Sequence, residues 1–219
     1  MSTPALRFYF DFISPYAYLG WIQIHALAAR HGREVEPVPI LFAALLNHHG
    51  HKGPAEIPPK RLYIFKNVMR LAHRLGVSLV PPPAHPFNPL LALRVASLPL
   101  PPAARRSLID ALFAAAWGGG GGVADAATVR RAVDAAGLDG AALLAEAETS
   151  AAKDRLRRQT DDALTHGLFG VPSVEVDGEL FWGCDAFPDV ETFLRGEDPV
   201  LPTDLARWAN LPAAAQRQR

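Results

Sequence analysis

Cysteine is nearly absent from this chain of 219 residues: Cys184 stands alone. A disulfide within it is therefore impossible, which suits a reducing compartment. There is no Cys-x-x-Cys pair either, so a two-cysteine redox centre is excluded. Neither sign of charge is in excess, with Lys and Arg totalling 22 and Asp and Glu 22. That balance gives no footing for nucleic acid or an anionic membrane. No stretch approaches the roughly 20 apolar residues that span a bilayer. Residues 1–6 are short and polar and pass straight into a strand, unlike a signal peptide. With 49% hydrophobic and 20% charged residues, the composition is that of a globular protein, long enough for one large domain or two intimate ones. The expectation is a soluble cytoplasmic protein.

The most informative segment is Phe8-Tyr9-Phe10-Asp11-Phe12-Ile13-Ser14-Pro15-Tyr16-Ala17-Tyr18-Leu19-Gly20. It reads as an apolar strand, a sharp turn and a helix whose first turn holds Pro15, where a missing N–H is harmless. Ser14 then sits at a helix N-terminus, where free N–H groups and the dipole favour negative charge. Thioredoxin-type proteins place a reactive cysteine at such a position because the helix end lowers a thiol pKa. A serine there is either a helix cap or the activator of another molecule's thiol, of which glutathione is the obvious cellular case.

The rest of the chain reads as strand 7–12, helix 15–31 and strand 34–40, a βαβ start that implies a parallel pair. Region 41–60 reads as irregular. A helix runs from Lys60 to the stop at Gly76, followed by the rigid break Pro81-Pro82-Pro83. Alanine-rich helices are expected at 88–98, 102–116, 125–136, 139–148 and 149–166, with caps at Asn88, Asp125 and Asp139. The five-glycine run 118–122 lacks the lysine and preceding strand of a phosphate loop and reads as a flexible connection. Asp177-Gly178 between Ser173-Val174-Glu175-Val176 and Glu179-Leu180-Phe181-Trp182 is a strong hairpin signal. A helix at 186–195 follows, then a proline-bearing tail whose end, 213–219, is expected to be mobile. The order βαβ, helical block, hairpin and helix matches either a thioredoxin-like domain with an inserted helical domain or a plainer α+β domain with a helical appendage.

Further signals lie apart in sequence. Gly170-Val171-Pro172-Ser173 puts a proline at a strand opening, where it cannot join the ladder. It is either an ordinary turn proline or a cis proline at a ligand-facing strand end, with Val171 able to pair with an extended peptide. In Phe181-Trp182-Gly183-Cys184-Asp185, Asp185 either caps the last helix or faces an ammonium group. Lys60, in Ile57-Pro58-Pro59-Lys60-Arg61-Leu62-Tyr63, is a solvated charge or a carboxylate receptor. His48, His49, His51 and His85 match no standard metal-ligand spacing. No metal is expected, and these histidines read as surface or substrate-pocket residues.

Together these motifs resemble the kappa-class glutathione transferases and the similar bacterial 2-hydroxychromene-2-carboxylate isomerases, within the DsbA-like thioredoxin superfamily. The resemblance covers nearly the whole chain. It rests on Ser14-Pro15 within Phe8 to Gly20, Pro58 to Tyr63, Trp117, Phe169-Gly170-Val171-Pro172 and Trp182-Gly183-Cys184-Asp185. It implies an α/β fold in which residues 1–43 and 165–219 form a thioredoxin-like, glutathione-binding domain and 44–164 an inserted all-helical domain. It implies Ser14 as the catalytic residue on the glutathione sulfur and Val171, before Pro172, as partner of the cysteinyl backbone. It places Trp182, Gly183, Cys184 and Asp185 at the γ-glutamyl end, Lys60 at the glycine carboxylate, and His51 where the kappa class has an asparagine. Cys184 departs from the relatives' other small or polar residues; it packs, offers its backbone N–H, or forms a mixed disulfide. The implied activity is glutathione-dependent isomerisation of a conjugated aromatic catabolite, with a kappa-type transferase or peroxidase as alternative. A disulfide oxidoreductase and a non-catalytic binding module rank lower. The implied partners are glutathione, a small aromatic or electrophilic substrate and a second copy of the chain in a homodimer.

Overall fold

The computed structural model describes residues 4–212. The tail 213–219, expected to be mobile, lies outside the described residues, as do residues 1–3 of the N-terminal stretch. The chain starts with β1 (Leu6–Phe10), α1 (Pro15–Arg30) and β2 (Val35–Pro39). Seven helices follow: α2 (Phe42–His49), α3 (Pro58–Leu75), α4 (Leu90–Ser97), α5 (Pro102–Trp117), α6 (Ala126–Ala135), α7 (Gly140–Ala147) and α8 (Ser150–Thr165). Then come β3 (Ser173–Val176), β4 (Glu179–Trp182), α9 (Phe187–Leu194) and α10 (Pro202–Ala209). None of the described helices is long and apolar enough to cross a membrane.

The sheet order is β2-β1-β3-β4. β1 runs parallel to β2, with Phe8 opposite Pro37, and antiparallel to β3, with Phe8 opposite Val174. The hairpin predicted around Asp177-Gly178 pairs Val176 with Glu179, and Asp177 has a positive φ of 50°. β2 tolerates two prolines because it is an edge strand. Pro37 and Pro39 are two apart, so both turn their missing N–H away from β1.

Strand alternation sends Leu6, Phe8 and Phe10 to one face of the sheet and Tyr9 to the other. The first face packs on α1, α5 and α9 through one buried cluster that contains Phe8, Phe10, Phe12, Trp21, Phe113 and Trp117. Phe12 meets Phe113 edge-on with centroids 4.7 Å apart, and Phe10 meets it at 5.4 Å. The core thus runs unbroken from the sheet into α5. Tyr9, on the opposite face, packs with Ile40, Leu45, Ala163, Leu168 and Val171.

Several expectations are corrected. Region 41–60 is not irregular: it holds α2 and a 3-10 turn at Pro54–Glu56, and α3 begins at Pro58 rather than Lys60. Helix α2 has no side-chain cap of its own residue and only one fully buried side chain, Leu45, so its periodicity was too weak to read. The glycine run is a bonded turn: the Gly118 and Gly122 N–H groups donate to Ala114 and Ala115 carbonyls, and Val80 bridges Gly118. A Cβ at Gly120 would lie 2.6 Å from Ala115 Cα, so this backbone approaches α5 closer than any side chain allows. The tail contains α10. Asp125 and Asp139 cap α6 and α7 as expected, and Asn88 accepts the Leu90 N–H at 3.0 Å just ahead of α4.

Candidate functional site

The turn between β1 and α1 is held at nearly every polar atom. The Ser14 N–H donates to the Asp11 carbonyl at 3.1 Å. The fully buried Asp11 carboxylate accepts the Ile13 N–H at 3.0 Å and the Phe42 N–H at 2.9 Å, joining the turn to the start of α2. Trp117 Nε1 donates to the Phe12 carbonyl at 2.8 Å. His85 Nε2 lies 3.0 Å from the Ile13 carbonyl. A carbonyl only accepts, so Nε2 carries the proton. His85 is wedged against Trp117, Phe65 and Phe87, and burial lowers its pKa, keeping it neutral. Burial also pushes the Asp11 carboxyl up to about 7, against the pull of its two N–H bonds.

This scaffold presents Ser14 as the N-cap of α1. Its Oγ accepts the Ala17 N–H at 3.2 Å and donates to the Val171 carbonyl at 3.4 Å. No acidic side chain lies in the first turn of α1 to offset the helix dipole. The Val171–Pro172 peptide is cis. The Gly183 N–H donates to the Pro172 carbonyl at 2.9 Å, and among the described residues the Val171 N–H has no partner. Ser14, Val171 and Pro172, predicted from segments far apart, thus meet directly.

The segment after β4 lies beside them. A Cβ on Gly170 would collide with Trp182 Nε1, so the nitrogen edge of the indole crowds that glycine. Its outer side is exposed next to Phe169, with ring centroids 5.2 Å apart. Gly183 has φ +91°, and the Asp185 carboxylate folds back over it, 2.3 Å from where a Cβ would be. Asp185 is exposed and does not cap α9, which has no side-chain cap. Cys184 packs against Gly20 and belongs to the core. Burial, with Asp185 nearby, pushes its thiol up to about 12. That leaves an inert side chain and argues against a mixed disulfide.

Lys60 is exposed in the first turn of α3. Neither it nor Asp185 has an ion-pair partner among the described residues. Lys60, Tyr63 and Asn67 share one face of α3, and Asn67 reaches Tyr16 in α1. His51 is exposed beside His49, whose Nε2 contacts the Leu168 carbonyl at 3.0 Å; no structural bond ties His51 to Ser14. Among the described residues, no cluster of His, Cys, Asp or Glu could hold a metal. Sequence reasoning missed Asp11, Tyr16, Asn67 and the orienting role of His85. An aspartate inside an aromatic strand end was the one local signal available, since a buried carboxylate needs a reason.

The profile of the DSBA-like thioredoxin domain family matches residues 5–195, and the chain belongs to that family. A 2-hydroxychromene-2-carboxylate isomerase of Sphingobium xenophagum is 29% identical, over 88% of this chain and 98% of the relative. The glutathione S-transferase kappa 1 of Rattus norvegicus is 26% identical, over 92% and 96%. A solved 2-hydroxychromene-2-carboxylate isomerase superposes with a TM-score of 0.80 at 24% identity, covering 94% of this chain and 97% of the other. That likeness establishes the fold, a DsbA-like thioredoxin arrangement with helices between the halves of its sheet.

Proposed function

We propose that this protein is a glutathione-dependent isomerase that turns a double bond in a conjugated aromatic acid of the 2-hydroxychromene-2-carboxylate type. The carrying observation is a hydroxyl, Ser14, where thioredoxin-type proteins have a thiol, at the end of a helix whose preceding turn is rigidly bonded. Three further features suit a tripeptide thiol. The Val171 N–H is unpartnered among the described residues, and the exposed Asp185 carboxylate and Lys60 ammonium suit its amino and carboxylate ends. The named relatives, an isomerase and a kappa transferase, point the same way.

Glutathione, when bound, supplies a thiolate nucleophile and is regenerated. Ser14 redirects its O–H from the Val171 carbonyl to the sulfur, and the end of α1 adds its dipole. Val171 pairs with the peptide backbone, as in strand addition. Asp185 meets the ammonium group, with Gly183 and the Cys184 backbone beside it and Trp182 as a wall. Lys60 meets the far carboxylate; His51 is the most peripheral of the proposed contacts. This reading treats 1–43 with 165–219 as the glutathione-binding unit and 44–164 as the helical unit closing over the substrate. It includes a homodimer in the cytoplasm, checked by sedimentation and by fractionation.

The test is an ultraviolet titration of glutathione with the protein from pH 5 to 10. A bound-thiol pKa well below the free value of about 8.5 is expected; an unshifted pKa would sink the reading. A transferase is the second reading, favoured by the rat relative. It consumes glutathione, whereas an isomerase returns it, so a glutathione balance after turnover separates the two.

A further inference from the structure

A second hydroxyl lies in the same region and has no role so far. Tyr16 is two residues after Ser14, in the first turn of α1, with Pro15 between them. Its ring is half-buried. Asn67 Nδ2, from α3, donates to the Tyr16 oxygen at 2.8 Å. A phenol oxygen that already accepts from an amide has its own O–H free to aim elsewhere, and the accepted bond polarises that O–H into a better donor. Among the described residues no bond uses this O–H. Burial raises the Tyr16 pKa, the Asn67 bond pulls it the other way, and the nearby Cys184, Tyr63 and Asp185 each raise it further, for a net rise. The phenol therefore stays protonated near neutral pH and acts as a hydrogen-bond donor.

The chemistry proposed above has a use for such a donor. When a thiolate adds to the carbon β to a ketone, a C–S bond forms. The π pair of the C=C shifts to the bond between the α carbon and the carbonyl carbon, and the C=O π pair moves onto the carbonyl oxygen. That oxygen becomes an oxyanion while the former double bond is free to rotate. The pairs then return, the C–S bond breaks and the thiolate leaves, with no net oxidation. The Ser14 hydroxyl has one proton, and the proton that serves the sulfur is not available to the ketone oxygen.

We infer that the Tyr16 hydroxyl, oriented by Asn67, donates to the carbonyl oxygen of a conjugated ketone and stabilises the oxyanion formed there. The inference rests on the glutathione reading for its place in turnover, but its binding arm does not. Asn67 is a positioning residue acting through Tyr16.

The experiment uses trans-4-phenyl-2-oxobut-3-enoate carrying ¹³C at the ketone, bound without glutathione and followed by infrared difference spectroscopy. The carbonyl stretch is expected at lower wavenumber in the wild type than in Tyr16→Phe, which keeps the ring and its packing, and at an intermediate position in Asn67→Leu. With glutathione, Tyr16→Phe should lower kcat about 10²-fold, the usual loss of one oxyanion donor, while leaving the bound-thiol pKa unchanged. In the Tyr16→Phe background, Asn67→Leu should cause no further loss. Equal stretches in wild type and Tyr16→Phe, no binding of the ketone, or a moved thiol pKa with an unmoved stretch would each overturn the inference. An unshifted thiol pKa in the wild type with the stretch difference intact would instead fail the glutathione reading alone.

Discussion

The Ser14 hydroxyl donates to the Val171 carbonyl across 3.4 Å, joining residues 157 positions apart. The bond is long, so little is lost when the O–H turns to a better acceptor. Its oxygen meanwhile keeps the Ala17 N–H at 3.2 Å. One side chain therefore caps a helix and holds a proton donor at a strand end, and the two roles come apart on substitution.

Ser14→Ala should lose the cap, about 1 kcal/mol of stability, and return the bound thiol toward the free value of about 8.5. Glutathione affinity should change by less than about threefold, because Val171, Asp185 and Lys60 are untouched. Thermal unfolding and the ultraviolet titration read the two effects separately. A bound-thiol pKa equal in both proteins would leave Ser14 as a cap only.

Asp11 sets a pH dependence of stability. Its pKa is about 7 in the fold, raised by burial from the ordinary 3.8. The folded state thus binds this proton more tightly than the unfolded state. Its contribution is fully present below about pH 4 and is lost as pH rises toward 7, at no more than about 1.4 kcal/mol per unit. Asp11→Asn should flatten that slope and lower stability by about 1–3 kcal/mol overall, since an amide N–H₂ would face a backbone N–H. Melting temperatures between pH 4.5 and 8 decide it: parallel profiles for both proteins would place the titration elsewhere.

Gly183→Ala faces two penalties. Its φ of +91° is a glycine conformation, and the new Cβ would strike the Asp185 carboxylate. The strain is worth about 1–3 kcal/mol. Displacement of Asp185 should weaken glutathione binding roughly tenfold with the thiol pKa unchanged. Calorimetry that returns the wild-type Kd would remove Asp185 from the site.

Cys184 should be silent. Its thiol is buried, with a pKa of about 12, so thiol reagents at pH 8 should label it only after unfolding. Cys184→Ala should keep kcat within about twofold while losing about 1 kcal/mol of packing. Rapid labelling of the native protein, or lost activity in the variant, would reopen a redox role.

Much of the site was legible because its signals are local. Ser14-Pro15 and Asp177-Gly178 are short-range backbone chemistry, and helix caps and hairpin turns form with little help from distant residues. Helix α2 and helix α10 were not legible. The first is anchored by its Phe42 N–H, which donates to the side-chain carboxylate of Asp11, 31 residues earlier. The second exposes Leu205 and Trp208, so no buried stripe marked it in a proline-bearing tail. The glycine run misled because composition reports freedom, whereas the packing of Gly120 on Ala115 takes it away.

The sequence by itself determined the absence of disulfide chemistry, the strand-turn-helix around Ser14, the closing hairpin and the family resemblance. Each follows from residue types and short spacings. Only the tertiary structure decided that Asp11, Trp117 and His85 lock the Ser14 turn, that Cys184 is core rather than chemistry, and that Asn67 aims the Tyr16 hydroxyl. Those are contacts between residues 31 to 164 positions apart in the chain. Backbone propensity carries no record of such meetings; they exist once a continuous core has drawn α1, α3 and α5 against the sheet.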